Sequence, residues 1–141
     1  MWQKIHTQLR QKVRKSVEKT DNPTAGIIDS QSVKTAEKRG KCTVMMGANE
    51  LKDASDLSRV DTLGLLLAVI VTEANFPERL GGAAVVMEAA EATENLVVIW
   101  VDQGFSGENF SRVIQHLCAA KVDVICRSEV GFQVLPKRPY C

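Results

Sequence analysis

Two apolar runs in this sequence end in an aspartate. The stretch "AGIID" climbs to Asp29, and "VIWVD" climbs to Asp102. Both turn polar at once, through Ser30, Gln31, Ser32 and Lys34 in the first case and Gln103 and Gly104 in the second. An acid at the end of a buried strand can cap a turn, or it can hold a hard cation through oxygen. In open α/β sheets, ligands gather outside the carboxyl ends of strands. If these two strands are parallel neighbours, Asp29 and Asp102 stand side by side and repel unless a cation sits between them. Mg2+ or Mn2+ suits such a site, and the chemistry is then in-line phosphoryl displacement by an activated water or hydroxyl. Phosphate-accepting and nucleotide-binding domains end strands in the same way, so the pair alone does not choose. Neither G-x-G-x-x-G nor G-x-x-x-x-G-K-[ST] occurs, which counts against an unrelated α/β domain for a small phosphorylated ligand.

The elements that must position these acids are legible in outline. Trp2, Ile5, Leu9, Val13 and Val17 recur at helical spacing and predict one amphipathic helix over residues 2–19, ended by Asp21-Asn22-Pro23. Ala25 to Asp29 reads as a strand. Residues 35–60 show no sustained period and read as loop, with a weak strand near Cys42 to Met46 and a helical turn near Leu51. Asp61 to Gly64 reads as a turn, and "LLLAVIVTEAN" as a strand, because it is short and β-branched. Asn75 to Gly82 reads as loop and Ala83 to Thr93 as helix. Leu96 to Val101 is unbroken apolar, the mark of a strand covered on both faces. Asn109 to Ala120 reads as a helix with Phe110, Val113, Ile114 and Leu117 on one face, and Val122 to Cys126 as a last short strand. The alternation of strands and helices argues an α/β fold. Trp2, Trp100 and Phe105 read as core residues rather than base-stacking platforms.

Composition bounds the rest. The chain has 141 residues, 45% hydrophobic and 25% charged, enough for one folded domain. The longest apolar run, Leu63 to Val71, is about half of what a bilayer-spanning helix needs. The opening "MWQKIHTQLRQ" has no apolar segment of the signal-peptide kind, so the expected location is cytoplasmic, with no membrane partner. Cys42, Cys118, Cys126 and Cys141 are scattered, and His6 and His116 are far apart, so buried free thiols are a better reading than zinc or disulfides. The net charge of +1 hides an asymmetry: residues 1–41 carry ten Lys/Arg against four Asp/Glu, and residues 42–135 carry six against thirteen. A basic N-terminal third can face nucleic acid, or it can simply be a solvated helix face.

Four stretches carry a resemblance: "AGIIDSQSVKTAEK", "VDTLGLLLAVIVTEAN", "VIWVDQGFSG" and "GFQVLPKR". In order and spacing the chain resembles DDE-type insertion-sequence transposases of the insertion-sequence-five group, over about residues 2–138. The resemblance implies a ribonuclease H-like mixed sheet flanked by helices, incomplete at the C-terminus, an α/β fold. It implies that Asp29 and Asp102 are the first two acids of a catalytic triad that binds Mg2+ or Mn2+. It also implies metal-dependent cleavage and strand transfer of transposon-end DNA. Ser32 and Lys34 fall in the motif, and Lys137 and Arg138 in "LPKR". All four are candidate DNA-backbone contacts, on the chemistry of hydroxyl and cation with phosphate. Asp61 and Asn75 also match; Asp61 reads as a turn former rather than a metal ligand. The division that follows is a basic helix at 1–22 and a partial catalytic domain at 23–141.

Two departures shape the functional expectation. The resemblance calls for a third acid, a glutamate, on a helix beyond "LPKR"; no glutamate follows Glu129 in this sequence. Before "VDTLG" the resemblance calls for a basic strand; here "NELKDASDLSR" carries three acids against two bases and reads as a poor strand. These departures suggest a frameshifted, truncated copy: a transposase core by descent, inactive on its own. The alternative is a residual DNA-binding fragment, or one that pairs with a full-length transposase and inhibits it.

Overall fold

The computed structural model describes residues 1–34, 53–73, 75–89 and 94–126. Helix α1 (Trp2–Ser16) leads into strands β1 (Ala25–Lys34), β2 (Asp53–Asp61) and β3 (Leu66–Glu73). Helix α2 (Glu78–Glu88), strand β4 (Val98–Val101), helix α3 (Glu108–Cys118) and strand β5 (Lys121–Val124) follow. A 3-10 turn, Gln103–Phe105, joins β4 to α3. The strands form one sheet in the order β3-β2-β1-β4-β5. β1, β2 and β3 run antiparallel in sequence, while β4 lies parallel to β1 and β5 parallel to β4. The fold is thus α/β, a mixed sheet with flanking helices, consistent with a ribonuclease H-like fold.

The acid-bearing first strand is longer than its apolar run. β1 continues past Asp29 to Lys34 because β2 pairs with it from Gly26↔Asp61 to Lys34↔Asp53. This corrects the expectation for residues 53–60, which form β2 and not loop. The text "DASDLSRVD" has low strand propensity, but β2 lies between two antiparallel neighbours that take both rows of its backbone hydrogen bonds. Its alternation is also sound: Leu57, Arg59 and Asp61 are buried at every second position. The strand expected near Cys42 and the turn near Leu51 lie outside the described residues.

Asp61 to Gly64 is a turn, as expected. The Asp61 carboxylate accepts from Leu63 N and Leu65 N, both at 2.9 Å, and Gly64 N donates to Asp61 O at 3.0 Å. Gly64 has φ of +76°, open to glycine and costly for other residues.

One core fills the side of the sheet under α2 and α3. It joins Ile28, Leu57, Ile99 and Val101 to Val85, Val86, Phe105, Phe110 and Ile114. α2 starts at Glu78, five residues before the expected Ala83, and carries Gly81 and Gly82 inside it. Helix propensity alone disfavours that pair. Packing overrides it: a Cβ at Gly81 would stand 2.6 Å from Leu57 Cδ2, and one at Gly82 would stand 2.9 Å from Phe105 Cε1. The two glycines let the helix backbone approach the sheet. On α3 the expected apolar face is divided. Phe110 and Ile114 are buried, whereas Val113 and Leu117 are 46% and 38% exposed. On the other side of the sheet, Ala25, Val98 and Trp100 cluster with Ile27 and Ile125. Trp100 and Phe105 are core residues, as expected.

Helix α1 contradicts the ordinary use of an amphipathic helix. Trp2 is not the core residue its type suggests: it is 80% exposed, and Ile5, Leu9, Val13 and Val17 of the same stripe are all exposed. The buried residues are Arg10 and Arg14. Arg14 Nη1 meets Asp61 Oδ2 at 2.5 Å, and Arg14 Nε donates to Thr20 O at 2.6 Å. Gln3 Nε2 donates to Glu88 Oε1 at 3.4 Å. The helix ends at Ser16, earlier than the proline signal predicts; Glu18 sits at φ +57° in the turn that follows.

Candidate functional site

The parallel pair β1–β4 decides where the two aspartates meet. Ala25 pairs with Val98, Gly26 with Ile99 and Ile27 with Trp100. Each pair is separated by 73 residues (98 − 25), and so are Asp29 and Asp102 (102 − 29). Carried two residues beyond Ile27↔Trp100, the register sets Asp29 opposite Asp102. By strand alternation both follow the face of Ile27 and Trp100. Both side chains are exposed.

Local structure explains why β4 stops there. Asp102 is extended, with φ −81° and ψ −177°, and its Oδ1 accepts from Gly104 N at 3.0 Å. The acid therefore caps the 3-10 turn while its second oxygen stays open. β1, by contrast, runs on past Asp29, held by its pairing with Ser58 of β2.

A third carboxylate lies close by, one that sequence reasoning missed. Ser30 Oγ donates to Glu78 Oε1 at 3.4 Å. Glu78 also abuts the turn after Asp102: a Cβ at Gly104 would stand 2.3 Å from Glu78 Oε2 and 3.2 Å from Asp102 Oδ1. The signal was present in "NFPERL", since a proline followed by an acid is a helix start. The loop reading of residues 75–82 hid it. Ser30 lies on the opposite face of β1 from Asp29, so Glu78 approaches from the other side of the sheet edge. Among the described residues, no three His, Cys, Asp or Glu side chains group as metal ligands. The donor set at Asp29 and Asp102 fits one hard cation that keeps most of its water and takes one or two carboxylates.

The remaining candidates scatter. Ser32 is exposed and pairs with Ser55, on the face of β1 opposite Asp29. Lys34 ends β1 opposite Asp53, and its side chain lies outside the described atoms. Lys137 and Arg138 lie outside the described residues. Asn75 is exposed between β3 and α2. Asp61 is fully buried in its turn and ion pair, away from Asp29 and Asp102 on a different strand end. A cleft of about 520 Å3 lies between α1, β3 and the end of α2, lined by Lys4, Arg10, Leu67 and Glu88 among others; neither Asp29 nor Asp102 lines it. No helix among the described residues is long and apolar enough to cross a membrane.

No family model matches the chain, and no curated protein matches it. Among solved structures, the chain is similar to the piggyBac transposase synaptic complex with hairpin DNA, determined by cryo-electron microscopy. The identity is 15% and the TM-score 0.45, over 77% of this chain and 24% of that one. This chain thus spans about a quarter of the length of the chain it matches.

Proposed function

We propose that this chain is the core of a DDE-type transposase of the insertion-sequence-five group, with a two-carboxylate site at Asp29 and Asp102. The observation that supports the reading is the shared register of 73 residues, which sets Asp102, just past the end of β4, opposite Asp29 within the parallel strand β1. Asp29 and Asp102 would be the residues that hold a Mg2+ or Mn2+ ion. When bound, the cation offsets phosphate charge and lowers the pKa of a bound water or hydroxyl. Asp102 is oriented for this by the Gly104 N–H on its Oδ1. Ser32, Lys34, Lys137 and Arg138 contact the backbone of transposon-end DNA, where hydroxyls and cations position phosphates without reading bases. The basic segment 1–22, which carries α1, adds non-specific affinity, so binding falls steeply with salt.

The test is a thermal melt of the chain and of Asp29→Asn/Asp102→Asn with and without Mn2+. At ten times the dissociation constant, a bound ion adds about 1.4 kcal/mol. For a chain of this size that raises Tm by about 6 °C. The rise should appear in the wild type and vanish in the double variant. A folded chain whose Tm ignores Mn2+ overturns the metal assignment.

A further inference from the structure

Arg10 and Arg14 lie one turn apart on the face of α1 that meets the domain, and both are buried. Arg14 is answered by Asp61. Arg10, 6% exposed, lines the cleft of about 520 Å3 between α1, β3 and the end of α2. Arg59 stands behind that cleft. Its cross-strand partner Ala68 lines the same cleft. Arg59 also feels the Arg10 charge: its pKa is lowered to about 10, chiefly by burial, with Cys118 acting against the shift and Arg10 adding to it. Arg59 is fully buried, and its Nε, Nη1 and Nη2 have no hydrogen-bond partner among the described residues. A buried cation without a counter-charge is costly. This fold keeps one, and keeps it near a second.

The cleft has the size of a small-molecule site, for which about 300–1,000 Å3 is usual. Leu67, Ala68 and Ala89, all buried, give it an apolar wall. Lys4 and Glu88 lie at its exposed rim and offset each other, and Glu88 accepts from Gln3 Nε2 at 3.4 Å. Rim charges in water are screened, whereas the buried arginine charges are screened much less. The cleft therefore joins an apolar wall to a positive floor. A guanidinium presents a fork of N–H donors that matches the oxygens of a phosphate or a carboxylate. Two such groups close together favour a doubly charged anion. A phosphate monoester near neutral pH is one, and a carboxylate or a phosphodiester is not.

We propose that this cleft binds the phosphate monoester of a small organic molecule, with the phosphate on Arg10 and the organic body against Leu67, Ala68 and Ala89. Arg59 acts from behind, adding a second positive charge without touching the ligand. Neither Asp29 nor Asp102 lines the cleft, so the site does not depend on the metal.

The experiment is a calorimetric titration of the full chain with phenyl phosphate at about pH 7.5, where the phosphate is mostly a dianion, in chloride of matched ionic strength. Phenol, the same body without the phosphate, is the control and should bind at least about ten-fold more weakly. Arg10→Met should weaken phenyl phosphate binding by about ten-fold or more. Arg59→Met should weaken it by about three-fold or more, even though it raises the melting temperature in chloride alone. Lys12→Met removes an exposed charge of the same helix outside the cleft and should leave binding unchanged. Glu88→Gln, at the exposed rim, should tighten binding by about two-fold. Circular dichroism checks that each variant is folded, and Glu88→Gln carries the test if a buried arginine variant is not. No binding, equal binding of phenol, an equal loss in Lys12→Met, or a Glu88→Gln chain that binds no tighter overturns the proposal. So does a DNA duplex that binds through Arg10 in a chain that ignores phenyl phosphate.

Discussion

Replacing Asp61 with asparagine tests whether one buried ion pair sets the orientation of α1. The carboxylate does three jobs. Oδ2 takes Arg14 Nη1 at 2.5 Å, and Oδ1 takes the amides of Leu63 and Leu65 at 2.9 Å each. Asparagine keeps a carbonyl oxygen for the two amides but turns an NH2 toward the guanidinium. Arg14, whose side chain is only 4% exposed, then keeps its bond to Thr20 O and loses its counter-charge. Breaking one half of a buried pair costs about 3–5 kcal/mol. At about 4 °C per kcal/mol for a chain of this size, Tm should fall by about 12–20 °C. Urea unfolding followed by far-ultraviolet circular dichroism measures the loss. A double-mutant cycle with Arg14→Met separates the ion pair from the turn. If the pair is responsible, the double variant is less destabilised than the two singles summed, by about 2 kcal/mol. Limited trypsin digestion gives a second readout, because α1 carries Lys4, Arg10, Lys12, Arg14 and Lys15. Cleavage there should rise in Asp61→Asn before the core unfolds. A loss under about 1 kcal/mol, or an additive cycle, refutes the reasoning and leaves Asp61 as a turn former only.

Two further substitutions probe the sheet. Arg59 is fully buried, and its Nε, Nη1 and Nη2 have no hydrogen-bond partner among the described residues. Burial, more than the nearby Arg10, lowers its pKa to about 10, with Cys118 acting in the opposite direction. Arg59→Met should therefore stabilise the chain, by about 1–4 kcal/mol on the scale of apolar replacements of buried charge, read as a higher urea midpoint. The sign with pH follows from the lowered value. Above pH 10 the unfolded chain holds this proton more tightly than the native one. Raising pH through that window thus stabilises the wild type relative to Arg59→Met. A lower midpoint for Arg59→Met contradicts the account. Gly81→Ala gains about 1 kcal/mol of helix propensity but drives a methyl to 2.6 Å from Leu57 Cδ2. Overpacking of about 1–3 kcal/mol makes the net change destabilising, and a Leu57→Ala background should remove the penalty. Equal effects in both backgrounds rule out the contact.

By itself the sequence determined the elements whose cause is local. In the unbroken run before Asp102, Val98 to Val101 form a strand buried along its whole length, as its composition requires. The turn at Asp61 to Gly64 needs only an acid that accepts nearby amides and a glycine that tolerates positive φ. The two aspartates that close apolar runs are visible as types and positions, and their separation of 73 residues can be counted. What it meant was settled by pairing: only the parallel register of β1 with β4 turns that number into two neighbours. Tertiary structure also made a strand of "DASDLSRVD", because two flanking strands supply hydrogen bonds that no local propensity can. It set Glu78 beside Gly104 by placing two glycines of α2 against Leu57 and Phe105. And it turned α1 over. Periodicity tells which side of a helix is apolar, not which side meets the domain. That was decided by Arg14 and Asp61, 47 residues apart in the chain and 2.5 Å apart in the fold.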